Sequence, residues 1–280
     1  MLALAAFADE ISPNLDDQVR VCVANGVSAF ELRSVAGKNV LDFDKGLRAE
    51  IKTKLEDNGL DVISIGSPIG KVKITDPWPQ HFDRFKLAVE TAEYFRAPLL
   101  RLFSYYPPEN GDIKKHRDEV LRRFQDKIDY LKSHPTVTLI HENERHIYGE
   151  KGPDCLDLMK SIESPQLRMA FDFANFVQAG QNPLDCWPDL KPYTDHIHIK
   201  DALWGSGKVV PAGKGDGQLK PILKDAYDSG YRAFLSLEPH LAAHEQFGGF
   251  SGEQLFNLAV QSLRSLCSEI NLPLIPPDPQ

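Results

Sequence analysis

The sequence alternates short apolar runs with amphipathic helical patterns through almost its whole length. Eight runs have the length and the apolar or β-branched content of strands, and they are Leu2–Ala8, Val27–Arg33, Leu60–Gly66, Pro98–Phe103, Thr136–Glu142, Leu167–Asp172, His196–His198 and Phe234–Glu238. Helical patterns separate them, several ending at a glycine, and these are Asn14–Asn25, Lys45–Asn58, His81–Phe95, His116–Ser133, Cys155–Ile162, Leu184–Leu190, Leu219–Ser229 and Gly252–Ile270. Strands that alternate with helices in this way form a parallel sheet with right-handed crossovers.

Two architectures satisfy this alternation, an open doubly wound sheet and a closed barrel. An open doubly wound sheet typically has a glycine-rich phosphate-binding turn after its first strand. The segment Asp9–Asn14, which follows the first predicted strand, contains no glycine. We therefore predict an α/β fold of the (β/α)8 TIM-barrel type. No linker-like stretch divides the chain before Pro273, so we predict a single barrel domain over residues 1–272 and a proline-rich C-terminal tail over residues 273–280.

Four consecutive strand-like segments in the second half of the chain end on side chains that can bind a metal ion. Side chains alternate between the two faces of a strand, and inward residues at the carboxyl ends of barrel strands build active sites. A single acidic residue at a strand end is usually a solvated edge, but four in register on consecutive strands are hard to explain that way. The predicted metal ligands are Glu142, Asp172, His198 and Glu238.

Three carboxylates and one imidazole make an oxygen-rich donor set that suits a divalent cation. We expect one such ion, Mn²⁺ before Mg²⁺, Co²⁺ or Zn²⁺, because zinc sites more typically have additional His or Cys ligands. A bound cation would polarise a substrate carbonyl and acidify the neighbouring position. Glu142 and Glu238 could then flank a substrate carbon as the catalytic acid and base. This arrangement predicts epimerisation or aldose–ketose isomerisation through an enediolate.

Polar residues at and beyond other strand ends are candidates for substrate binding. Arg33 and Arg101 would be buried without a partner unless each meets a carboxylate or an oxygenated ligand, and an ion pair with a rim acid is an equal alternative. Lys200 has inward parity, so it either holds a substrate oxygen or is a solvated rim lysine. Glu144 and His240 follow the fifth and eighth strands and could contact a sugar hydroxyl or another part of the substrate.

Two further histidines and a glycine-rich segment receive other interpretations. His141 has the parity opposite to Glu142 and is expected to face a helix or support the site from outside. His196 lies one layer deeper than the ligands and is expected to fill the barrel. Gly213–Gly217 looks superficially like a phosphate cradle but lacks the P-loop spacing. We predict a flexible active-site loop there, with Asp216 capping the helix that follows.

Charge, hydropathy and cysteine usage restrict the partners of the chain. The net charge of −8 disfavours a nucleic acid partner, and no apolar stretch approaches the ~20 residues that cross a bilayer. The segment Met1–Asp9 lacks the basic region of a secretion signal, and the four cysteines have no CxxC spacing. We therefore expect a cytoplasmic protein without membrane association. Its oligomeric state is open, and a homo-oligomer is compatible with the sequence.

Five segments resemble the xylose isomerase-like TIM-barrel superfamily, and within it the sugar phosphate isomerase/epimerase branch. They are His141–Glu144, Asp172–Asn175, His196–Asp201, Gly213–Gly217 and Leu237–His240. That branch includes tagatose/psicose 3-epimerases, hydroxypyruvate isomerases and inosose dehydratases. The resemblance implies that the four predicted ligands hold a metal ion, with the two glutamates as the acid/base pair. Epimerases of the family commonly have a substrate-contacting histidine three residues after the strand-six aspartate, where this chain has Asn175.

Three hypotheses follow for the function. The first is a metal-dependent isomerase or epimerase that acts on a small sugar, keto-sugar or polyol in carbohydrate metabolism. The second is a dehydratase on the same scaffold, because the same enediolate eliminates water when a hydroxyl group lies β to the acidified carbon. The third is a barrel that binds a sugar or a metal ion without turnover. The substrate decides between the first two, and the sequence does not identify it.

Overall fold

Eight parallel strands form the centre of the computed structural model, which describes residues 1–242 and 251–275. The strands are β1 (Ala3–Ala6), β2 (Ala29–Leu32), β3 (Asp61–Ile65), β4 (Leu99–Leu102), β5 (Thr138–Glu142), β6 (Leu167–Asp172), β7 (Thr194–Ile199) and β8 (Phe234–Leu237). Each strand pairs with its neighbours in chain order, and β8 returns to β1, where Phe234 lies opposite Ala3. The sheet is therefore a closed barrel, which confirms the predicted fold class.

Helices flank the barrel between successive strands. The α-helices of the described residues are α1 (Leu15–Ala24), α2 (Lys45–Asp57), α3 (Trp78–Phe95), α4 (Arg117–Leu131), α5 (Gly152–Ile162), α6 (Phe173–Gln178), α7 (Pro183–Leu190), α8 (Leu219–Asp228) and α9 (Gly252–Glu269). Asn14 caps α1 as expected, because its side-chain oxygen accepts from the backbone N–H groups of Asp16 and Asp17.

Helix α6 is the one α-helix among the described residues that the sequence pattern did not predict. It begins directly after β6, and the carboxylate of Asp172 accepts a hydrogen bond of 2.7 Å from the backbone N–H of Asn175. This short helix has no amphipathic stripe of its own, because Phe173 to Val177 are all buried. Asp172 therefore ends a strand and caps a helix at the same point in the chain.

The two faces of the strands divide as the alternation of residue types predicts. Leu235 and Leu237 of β8 belong to the hydrophobic core between the barrel and the helices. On the other face of the same strand, Ser236 donates a hydrogen bond to Glu31 of β2 across the barrel interior. Since Glu238 is two residues beyond Ser236, it emerges on the inner side at the carboxyl end of the barrel.

The amino end of the barrel is joined to the last described residues. The backbone N–H of Leu2 donates to the carbonyl of Pro273, and that of Ile275 donates to the carbonyl of Leu2, both at 2.8 Å. The first residues of the predicted tail thus pair with the chain just before β1, and residues 276–280 of that tail lie outside the described residues. All four cysteines are free and buried. The described helices include none with the length and apolar content that crossing a bilayer requires.

Candidate metal centre and active site

Four side chains from neighbouring strands meet at the carboxyl end of the barrel. Glu142 and Asp172 end β5 and β6, His198 lies near the end of β7, and Glu238 directly follows β8. One donor atom of each lies within 4.8 Å of the donor atoms of the others, and all four side chains are buried. Because these strands are adjacent and parallel, their carboxyl ends converge on one point. The structure thus brings the four predicted ligands together.

The imidazole of His198 shows how this cluster fits a cation. Its Nδ1 atom lies 3.4 Å from Glu142 Oε1, 3.9 Å from Asp172 Oδ2 and 3.9 Å from Glu238 Oε2. This nitrogen has no hydrogen-bond partner among residues 1–242 and 251–275. Buried carboxylates repel one another unless a cation lies between them, and three oxygen ligands with one nitrogen suit a divalent ion. The cluster could therefore hold a divalent metal ion.

Three cationic side chains, two of them buried and Arg33 partly exposed, neutralise the carboxylates from the cavity side. Arg101 Nη1 lies 3.0 Å from Glu142 Oε2, and Arg33 Nη1 lies 3.0 Å from Glu238 Oε1. Lys200 Nζ lies 3.0 Å from Glu238 Oε2 and 2.8 Å from the Oδ2 atom of Asp172. Both arginines are therefore paired with carboxylates of the candidate metal cluster, and Lys200 is buried rather than a solvated rim residue.

These contacts set the protonation of the two glutamates. Burial alone would raise the pKa of Glu142, but His198 and Arg101 lower it to about 2. Burial also opposes ionisation of Glu238, yet Lys200 and the neighbouring imidazoles hold its pKa well below the usual range. Both glutamates are therefore ionised at neutral pH.

All six predicted substrate-binding residues line one cavity, of about 840 Å³, together with Glu142 and Glu238. The six are Arg33, Arg101, Glu144, Asn175, Lys200 and His240. Asn175 Nδ2 donates to Glu142 Oε1 at 3.1 Å, and His240 Nε2 lies 3.4 Å from Glu238 Oε1. Glu144 is paired with Lys71 at 3.1 Å on the wall of the same cavity. A molecule in this cavity would contact both glutamates from the side that faces solvent.

The two other histidines lie where their parity predicted. His141 Nε2 forms a hydrogen bond of 2.9 Å with Ser104 Oγ, and its ring packs edge-on against Phe124 of α4. Burial lowers the pKa of His141 to about 3, so this histidine is a neutral packing residue outside the barrel. His196 Nε2 forms a hydrogen bond of 2.8 Å with Glu31 Oε2 inside the barrel, one layer below His198.

The sequence analysis missed two residues that organise the ligands. Glu31 of β2 lies at the centre of the layer below the cluster and is buried, and the signals available in the sequence were its inward parity and its charge within an otherwise apolar strand. Asn143 forms two hydrogen bonds of 2.9 Å with the backbone N–H and carbonyl of Asp172, which lock the ends of β5 and β6 together. The sequence around Asn143 has no pattern that predicts this role.

The segment Gly213–Gly217 is neither a phosphate cradle nor the helix cap predicted from the sequence. Its backbone N–H groups at Gly213, Gly215 and Gly217 donate to the carboxylate of Asp201, each at 2.9 Å. The prediction for Asp216 is wrong, because its carboxylate accepts from the backbone N–H of Trp204 at 2.7 Å instead of capping α8. The glycines permit the close approach, since an added Cβ at Gly215 would lie 2.4 Å from Asp201 Oδ1.

With the fold and the cluster described, comparison with known proteins identifies the family. Residues 19–266 match the sequence profile described as the xylose isomerase-like TIM barrel, and the chain belongs to that family. It is 30% identical over 227 residues to the uncharacterised protein YihM of Escherichia coli K12, an alignment that covers 78% of this chain and 61% of the relative.

Two further proteins that are similar to this chain are named for different reactions, a dehydratase and an epimerase. A 3-dehydroshikimate dehydratase of Bacillus anthracis is 20% identical over 185 residues, which cover 66% of this chain and 65% of that protein. The crystal structure of the E. coli 3-keto-D-glucoside 4-epimerase superposes with a TM-score of 0.71 at 15% identity, covering 96% of this chain and 99% of that chain. The chain spans less than two thirds of the length of the two curated relatives it matches.

Proposed function

We propose that this protein is a divalent-metal-dependent isomerase or epimerase of a small sugar, keto-sugar or polyol, with Mn²⁺ as the preferred ion. The observation that carries the proposal is the double position of Glu142 and Glu238. Each belongs to the candidate metal cluster, and each also lines the cavity from which a substrate would approach. Metal ligands with no catalytic role would have no need to face that cavity.

Glu142, Asp172, His198 and Glu238 would hold the ion, which when bound supplies the positive charge that polarises a carbonyl and acidifies the neighbouring carbon. One of the two glutamates accepts the proton from that carbon at a carboxylate oxygen, which gives an enediolate. Because both carboxylates are ionised in the resting site, the glutamate that returns a proton to the product first takes it from solvent, and the glutamate that accepted the substrate proton releases it to solvent. Return to the opposite face gives an epimer, and return to the adjacent carbon gives the isomer.

The cavity wall supplies the remaining functions. Arg33 and Arg101 hold the carboxylates of Glu238 and Glu142 in place, since Arg33 is itself fixed by its ion pair with Asp9 and Arg101 is fixed by burial. Lys200 and Asn175 present N–H groups beside the same carboxylates, where oxygen atoms of a sugar would lie. Asn175 in place of the histidine common in related epimerases would change which hydroxyl groups are recognised.

Two measurements on the wild-type protein test this proposal. Metal analysis of the purified protein should find a stoichiometric divalent ion, and a barrel that only binds sugars would contain none. Incubation with a panel of ketoses and inososes in D₂O, followed by NMR, should show deuterium entering the product at the carbon next to the carbonyl. Conversion without any deuterium incorporation would contradict the enediolate mechanism.

Replacement of one base tests the two-glutamate mechanism. Glu238→Gln should lower turnover by about 10²–10⁴-fold, the usual contribution of a positioned acid or base, while the barrel stays folded. Glu144→Gln is the comparison variant, because Glu144 lines the same cavity outside the metal cluster; as a substrate-binding residue it should raise KM and leave kcat nearly unchanged. Glu142→Ala should weaken both metal binding and turnover, since one side chain serves both roles. Unchanged activity in Glu238→Gln would refute the two-base mechanism.

A dehydratase is the second candidate, supported by the similarity to the 3-dehydroshikimate dehydratase of B. anthracis. The same proton removal leads to loss of water when the substrate has a hydroxyl group β to the acidified carbon. The substrate panel separates the two reactions, because a dehydratase gives an unsaturated product with a new ultraviolet absorption and no isomer.

A further inference from the structure

A buried carboxylate lies directly beneath the metal cluster and takes no part in the mechanism proposed above. Glu31 of β2 is 0% exposed and accepts four hydrogen bonds from three other strands. Its Oε2 atom accepts from His196 Nε2 at 2.8 Å, from Ser236 Oγ at 2.9 Å and from His198 Nε2 at 3.1 Å. Its Oε1 atom accepts from Ser64 Oγ at 3.1 Å. Every polar contact of this carboxylate is therefore made inside the barrel.

The direction of these hydrogen bonds fixes the state of the imidazole above. An ionised carboxylate only accepts hydrogen bonds, so the Nε2 atom of His198 must carry a hydrogen. The Oε2 atom of Glu31 contacts three polar side chains at once and Oε1 contacts a fourth, which is the pattern of an acceptor-only carboxylate. A neutral imidazole with hydrogen on Nε2 has a free electron pair on Nδ1, the atom that faces the three carboxylates of the cluster.

The orientation of the ring is fixed together with its tautomer. Phe7 packs edge-on against His198 with ring centroids 5.3 Å apart, and the ring itself is 0% exposed. Rotation of the ring would break the hydrogen bond to Glu31 and leave the buried Nε2 hydrogen of His198 without an acceptor.

We propose that Glu31 is the positioning residue of the metal site: its carboxylate holds His198 in the one tautomer and orientation that present Nδ1 to the ion. This inference rests on the proposed metal-dependent function. Carboxylates that fix a metal-binding histidine in this way control affinity without touching the metal. His196 is the internal contrast, because it donates to the same oxygen of Glu31 but does not belong to the four-residue cluster.

Titration calorimetry with Mn²⁺ tests the role in metal binding. Glu31→Gln should weaken Mn²⁺ affinity by about 10–100-fold, as is usual when such a supporting carboxylate is changed. Ser64→Ala and His196→Asn each remove one donor from Glu31 without changing a cluster residue, and both should bind Mn²⁺ nearly as the wild type does. Wild-type affinity in Glu31→Gln would overturn the proposal. So would a loss in His196→Asn equal to that in Glu31→Gln, since it would place the ion among Glu31, His196 and His198, whose donor atoms are also close together.

A second measurement needs neither a variant nor the metal. In chelator-treated wild-type protein labelled with ¹⁵N-histidine, NMR should show hydrogen on Nε2 of His198, and an unprotonated Nε2 would overturn the proposal. If the wild type binds no Mn²⁺ while this hydrogen is present, the proposed function fails and the positioning by Glu31 stands. The two failures are therefore distinguishable.

Discussion

Asp201 anchors the loop after β7 by accepting four backbone hydrogen bonds, and its replacement should markedly lower the free energy of unfolding. Its Oδ1 atom accepts from the N–H groups of Ala202 and Gly217, and its Oδ2 atom accepts from those of Gly213 and Gly215, each at 2.9 Å. The side chain is 1% exposed, so water cannot replace a lost acceptor without opening the loop. The loop also carries part of the cavity wall, at residues 206–209.

Asp201→Asn keeps the shape of the side chain but turns one oxygen into an NH₂ group. Whichever way the amide is oriented, that NH₂ group faces two backbone N–H groups that then have no acceptor. At about 1–3 kcal/mol for each buried donor left unsatisfied, the free energy of unfolding should fall by about 2–6 kcal/mol. That is a large part of the roughly 5–15 kcal/mol that stabilises a typical domain.

Urea unfolding followed by circular dichroism measures this loss, and hydrogen exchange locates it. The amides of Gly213, Gly215 and Gly217 should exchange faster in Asp201→Asn, while those of the barrel strands change less. Asp216→Asn is the matched control, because Asp216 lies in the same loop but accepts one hydrogen bond at an exposed position. Its cost should stay within about 1 kcal/mol. Equal stability losses in the two variants would refute the role assigned to Asp201.

Two further predictions concern stability away from the cavity. Gly70→Ala should lower the free energy of unfolding for two reasons, because φ at Gly70 is +91° and an added Cβ would lie 1.9 Å from the Phe103 carbonyl oxygen. The steric clash should cost about 1–3 kcal/mol in addition to the backbone strain. Gly59→Ala is the control, because Gly59 has φ +65° but an added Cβ there would meet no atom within 4 Å. It should cost only the backbone strain, about 1–2 kcal/mol. Equal losses of the two variants in urea unfolding would contradict the clash at Gly70. Burial lowers the pKa of His81 to about 3, and its Nε2 accepts from the backbone N–H of Gly70 at 3.2 Å. In the unfolded chain the His81 imidazole binds a proton from about pH 6.5 downward, whereas in the folded protein it does so only near pH 3. The contribution of neutral His81 to stability is therefore present above pH 6.5 and is lost as the pH falls toward 3. The loss is up to about 1.4 kcal/mol per pH unit, and unfolding of His81→Gln between pH 6.5 and 4.5 should show a correspondingly shallower slope than wild type.

The sequence by itself determined the barrel and the positions of its inward residues. Hydrophobic alternation is a local property of the chain, so Leu235, Leu237 and Glu238 could be assigned to their faces without a structure. Parallel neighbours then bring strand ends together whatever the loops do, which is why four residues on β5 to β8 could be expected at one point.

Only the tertiary structure decided which partners those residues have. Closure of the barrel brings Glu31 of β2 across from His198 of β7, which are 167 positions apart in the chain. Likewise, the backbone N–H groups of Gly213, Gly215 and Gly217 donate to Asp201 rather than to a ligand, because the loop folds back on its own strand. Parity along a strand is fixed by the geometry of one peptide after another. Contacts across the barrel depend on the register and closure of eight strands at once, and no short segment of sequence contains that information.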